Sequence, residues 1–88
     1  MSKKRTMREL HEFMQQRAMK ITMWRNARGL SIPEFAAMLN VSAPRVRSYE
    51  GGSWIPASRL RLMQKAGVPS VILYLDGSVL HEIIIQQQ

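Results

Sequence analysis

Cysteine is missing from all 88 residues of this chain. That excludes a disulfide framework and any thiolate metal site, and it makes a reducing cytoplasm the simple expectation. No apolar run approaches the ~20 residues of a membrane span, so no membrane partner is expected. The start, Met1-Ser2-Lys3-Lys4-Arg5, is basic, and the stretch after it is polar and amphipathic rather than the apolar core of a secretory signal. The two histidines, His11 and His81, are far apart with no second metal ligand at a binding spacing, and no nucleophile–base pair stands out. Neither an enzyme nor a cofactor is expected. The length suits one small domain, whose marginal core would gain from self-association.

Acidic side chains are also scarce, 6 against 13 Lys and Arg, for a formal net charge of +7. Their placement matters more than their number. Every Lys and Arg lies at or before Lys65, so residues 1–65 carry 13 basic and 4 acidic groups, and residues 66–88 carry only Asp76 and Glu82. One part of the chain suits a polyanion such as nucleic acid and the other does not. A basic surface kept for solubility is the bland reading of the same charge.

Thr6 and Glu9 have capping-box spacing and predict a helix over residues 7–28. Met7, Leu10, Met14, Ala18, Ile21 and Trp24 would form its apolar face. The helix is either continuous or broken near Ile21-Thr22, and Gly29 ends it. Ser31 and Glu34 make a second capping box, with Pro33 in the first turn, for a helix that stops at Asn40. Ser42 caps a third helix, with Pro44 in its first turn, that stops at Gly51-Gly52. A fourth opens at Pro56, carries Leu60, Met63 and Ala66 on one face, and ends at Gly67 and Pro69. Then the character changes. Val71-Ile72-Leu73-Tyr74-Leu75 is β-branched and aromatic, Asp76-Gly77 is a hairpin turn signal, and residues 79–85 read as a second strand. Apolar residues at both odd and even positions predict a hairpin covered on both faces, one of them or an open edge by a partner.

The second and third helices, joined by a three-residue turn, are a helix-turn-helix arrangement. Phe35, Ala36 and Leu39 face inward from the first of the pair, Val41 plugs the turn, and Val46 and Tyr49 face inward from the second. Residues 24–67 resemble the Cro/C1-type helix-turn-helix repressors of phages and plasmids, on the stretch Leu30-Ser31-Ile32-Pro33-Glu34-Phe35-Ala36-Ala37-Met38-Leu39-Asn40-Val41-Ser42 and on Arg45 to Gly52. Asn40 stands where that family usually has Gly. The segment Leu73-Tyr74-Leu75-Asp76-Gly77-Ser78-Val79 looks like the C-terminal hairpin of Cro proteins. The fold this implies is mainly α with a small β element: a basic arm over 1–5, a four-to-five-helix domain over 6–68, and a dimerisation hairpin over 69–88. The resemblance also implies an ion pair between Arg25 and Glu50, and a dimer seam through the strands, at Leu73, Leu75, Val79, His81, Ile83, Ile84 and Ile85.

Contacts to a double-stranded DNA operator are expected on this basis. Ala43, Pro44, Arg45, Arg47 and Ser48 would face the bases, the first two against thymine methyls and the arginines on guanine, with Arg47 equally suited to the backbone. Ser31, Ser42, Gly51, Gly52 and Ser53 would clamp phosphates, with Arg25, Arg28, Arg59 and the Lys3-Lys4-Arg5 arm as further candidates. The arm either tracks a groove or is a solubilising tail. The expected function is a homodimeric transcriptional regulator, most simply a repressor. The alternative is an antitoxin that binds a toxin protein and autoregulates its operon.

Overall fold

A computed structural model describes residues 7–74, which form five helices: α1 Met7–Ala27, α2 Ile32–Leu39, α3 Ala43–Glu50, α4 Ala57–Ala66 and α5 Ser70–Leu73. The arm at 1–5 and the expected turn and second strand lie outside the described residues.

Helix α1 is continuous for 21 residues, with Glu9 in its first turn and Arg25 in its last, each complementing the helix dipole. The β-branched pair Ile21-Thr22 does not break it. Ile21 is fully buried and Thr22 Oγ1 donates to the Ala18 carbonyl at 3.1 Å, so both side chains are satisfied within the helix. The helix closes through Gly29 at φ +68, with the Leu30 amide reaching back to the Arg25 carbonyl at 3.1 Å. The buried side differs from the expected stripe: it is Leu10, Phe13, Arg17, Ala18, Ile21 and Arg25. Met7 is 78% exposed, and Met14 and Trp24 are half-buried. The face is rotated because two arginines occupy the buried side, which an apolar count along the sequence passes over.

Helix α2 begins at Ser31, whose hydroxyl accepts from the Glu34 amide at 3.1 Å while its own amide donates to Glu34 Oε1 at 2.8 Å. It ends at Asn40, the single non-glycine residue with positive φ (φ 58, ψ 44) among the described residues. That left-handed residue lets the Val41 amide reach the Ala36 carbonyl at 3.0 Å and turns the chain into α3. Ser42 caps α3, accepting from the Arg45 amide at 3.3 Å. Helix α4 starts after Pro56, which offers no side-chain cap, and ends at Gly67 with φ +114.

The last described element corrects the first expected strand. Residues 70–73 are helical, with the Tyr74 amide donating to the Ser70 carbonyl at 2.7 Å. Pro69 presets the first turn, and Leu73 gains full burial in the core from the helical path. Strand propensity is a weak preference beside that packing. The lack of alternation in this segment suits a short helix, with Val71 outward and Ile72 and Leu73 turned in. No strand occurs among the described residues.

The main core gathers Ile21, Phe35, Ala36, Leu39, Val46, Tyr49, Ile55, Leu60, Met63, Val68 and Leu73. A satellite cluster of Leu10 and Phe13, flanked by Met14 and Trp54, lies along the first half of α1. Met19, Met23 and Met38 are exposed, at 60%, 64% and 42%, whereas Met63 is fully buried.

Candidate nucleic-acid interface

Helix α3 packs on α2 and α1 through Val46 and Tyr49, both buried. Pro44, Arg45, Arg47 and Ser48 are exposed and Ala43 is half-buried, so four of the five expected base-facing side chains face solvent together. At about 100° per residue, Pro44 and Ser48 form the centre of that face, and Arg45 and Arg47 flank it on opposite sides, about 160° apart. A proline ring and a serine hydroxyl at the centre, with a cation on each shoulder, is the resulting chemistry.

The far end of α3 is pinned to α1. Arg25 Nε donates to Glu50 Oε2 at 2.7 Å and Nη2 to Oε1 at 3.0 Å, a bidentate pair with both side chains nearly buried. Arg25 Nη1 donates to the Leu30 carbonyl at 2.8 Å. The hydrogen bonds to Glu50 raise the Arg25 pKa above the ordinary value for arginine, against the opposing effect of burial. Arg25 therefore serves as a brace, and its donors point into the protein rather than toward a phosphate.

Other expected phosphate ligands are also committed within the chain. The Ser31 amide and hydroxyl both belong to the capping box, which sets the Glu34 carboxylate at the start of α2. Hydrogen bonding of the carboxylate to the Ser31 amide, and then to the Ser31 side chain, lowers the Glu34 pKa below the ordinary value for glutamate. A phosphate at Ser31 would meet that negative charge. The amides of Gly51, Gly52 and Ser53 close back on carbonyls of α3, at 2.9, 3.2 and 3.0 Å. Arg28 lies over the Trp24 ring, its Cζ 5.1 Å from the centroid, beside Gly67.

What the structure does bring together is a groove of about 410 Å³ lined by Val41, Ser42, Arg45, Tyr49, Pro56, Ser58 and Arg59. The start of α3 and the uncapped start of α4 both open on it, and two guanidinium groups flank it. Helix N-termini and arginines of this kind bind phosphate. Ser58 is a residue that sequence reasoning misses, although its place two residues after Pro56 mirrors the Ser42 and Pro44 start of α3. Gln15 is a second one, and no local pattern marks it. Its amide lies over the turn after α3, 3.5 Å from the Gly51 carbonyl, and a Cβ at Gly52 (φ +104) would collide with it.

Of the expected dimer seam, Leu73 is fully buried within one copy and so is not available to a partner. Leu75, Val79, His81, Ile83, Ile84 and Ile85 lie outside the described residues. Among the described residues no His, Cys, Asp or Glu cluster could hold a metal ion, and no helix is long and apolar enough to cross a membrane. No family model, no curated protein and no solved structure matches the chain.

Proposed function

We propose that this protein is a sequence-specific, double-stranded DNA-binding transcriptional regulator of the Cro/C1 type, acting as a homodimer with α3 in the major groove. The observation that carries the reading is the exposed face of α3, with Pro44 and Ser48 at its centre and an arginine on each shoulder, held against α1 by Arg25 and Glu50. The groove beside it supports the same reading, since Arg45, Arg59, Ser42 and Ser58 would straddle one phosphate next to the bases that α3 reaches. The charge division of the chain, with every Lys and Arg at or before Lys65, agrees. Repression by occupying a two-fold operator, with half-sites about 34 Å apart, is the simplest mode of action.

Selection of bound sites from random duplex DNA tests this. A two-fold motif with half-sites about one helical turn apart is the expected result; recovery of no enriched sequence overturns it. Within such a site, Arg47→Ala is expected to cost about 1–3 kcal/mol at one base pair. Arg45→Ala is expected to weaken all sequences alike and to reduce the salt dependence by about one phosphate contact.

A further inference from the structure

Few side chains hold α3 against the protein. Its buried residues are Val46 and Tyr49, which stand about 60° apart around the helix. A helix seated along so narrow a line takes its angle from whatever grips its ends. At the far end α1 supplies two grips. One is Arg25 on Glu50. The other is Gln15, about 15 Å back along α1. Gln15 Nε2 donates to the Gly51 carbonyl at 3.5 Å. The whole amide group lies on Gly52, since a Cβ added there would stand 2.7 Å from Gln15 Cδ and 2.9 Å from Oε1. Gly52 is buried and has φ +104. The turn beneath the amide is continuous with α3. Gly51, Gly52 and Ser53 donate to the carbonyls of Arg47, Tyr49 and Ser48. Arg47 and Ser48 belong to the exposed face of that helix.

We propose that Gln15 is a positioning residue for base readout: resting on the bare backbone of Gly52, it sets the angle at which α3 presents Arg47 and Ser48. The inference rests on α3 being the helix that enters the major groove. Gln15 is exposed and lies outside both clusters of buried apolar residues, so its contact adds little to stability. Ordering so long a side chain also costs rotamer entropy. A binding surface, by contrast, works only within about 0.5 Å and 10–20° of its productive geometry. A weak contact at the end of the reading helix matters little to folding and much to aim. The Arg25–Glu50 pair carries the load, and Gln15 fixes the last few degrees. Glycine at position 52 is what lets the amide come down onto the turn.

The test compares DNA affinity on the sequence selected by the unmutated protein with affinity on random duplex. Gln15→Ala is expected to lower the first about tenfold, to leave the second within about twofold, and to change the folding equilibrium constant in urea less than about fivefold. Gly52→Ala displaces the same amide and should lose the same specificity, at a stability cost from its positive φ that is equal beside Gln15→Ala. The two losses of specificity should not add. Additive losses, or equal losses on both DNAs, would overturn the proposal. In the free, unmutated protein, an NMR cross-relaxation peak between the Gln15 side-chain amide and the Gly52 Hα is expected, and its absence sinks the contact without reference to DNA. A selected sequence that Gln15→Ala binds as well as the unmutated protein does would remove the positioning role and leave the DNA reading standing. Selection that enriches no sequence at all removes both.

Discussion

The two halves of α1 serve different ends. Its second half carries Ile21 into the main core and sets Arg25 against Glu50, so it is joined to α2 and α3 by both packing and a buried ion pair. Its first half rests on a satellite cluster of Leu10 and Phe13 and leaves Met7 in solvent. The contrast teaches that helix length and helix anchorage are separate properties. The half of α1 that is held by both core packing and an ion pair is the half that braces the far end of α3.

Truncating the core should show the contrast most strongly. Phe35→Ala, at a fully buried site that also meets the Trp24 ring at 5.9 Å, is expected to cost about 3–5 kcal/mol. Phe13→Ala in the satellite cluster should cost about half as much by the same urea titration. Equal losses would mean that α1 is anchored uniformly. Between the two phenylalanine variants in size lies Glu50→Ala, which strands Arg25 in a nearly buried position and should cost about 3 kcal/mol; under the proposed function, DNA affinity should fall alongside stability.

Smaller effects sharpen the picture at the caps. Ser42→Ala removes the α3 cap and should cost about 1 kcal/mol, seen as a shifted unfolding midpoint. The smallest expected effect depends on pH. The Glu34 carboxyl titrates below the ordinary glutamate value of about 4.3 because its ionised form accepts the Ser31 hydrogen bonds. Its contribution is therefore complete above that value and is lost as pH falls through the lowered one. Glu34→Gln should flatten this part of the acid limb in stability measurements and leave neutral pH nearly unchanged.

What the sequence made legible was local. Ser31, Ser42, Asn40 and Gly67 mark helix ends through single-residue chemistry, and each stands at an end in the structure. The inward set Phe35, Leu39, Val46 and Tyr49 follows from helical period and is buried. What depended on distant partners was less legible. Arg17 reads as a surface cation until α1 is packed, and Gln15 acquires its place only because α1 crosses the turn after α3. At residues 70–73, β-branched composition suggests a strand, whereas Pro69 and the burial of Leu73 decide for a helix. In the candidate interface, the α3 side chains were assignable from spacing. The amides of Ser31 and Gly51-Gly52-Ser53 were not, because spacing does not reveal that their hydrogen bonds are already used.

The distribution of methionine sulfur gives the protein a built-in chemical clock. Met7, Met19, Met23 and Met38 stand in solvent, while Met63 is sealed in the core. Mild peroxide should convert the exposed thioethers to sulfoxides quickly and spare Met63 for as long as the fold stays closed. The rate at which a mass shift reaches the peptide bearing Met63 then measures how often the core opens, without any label or substitution.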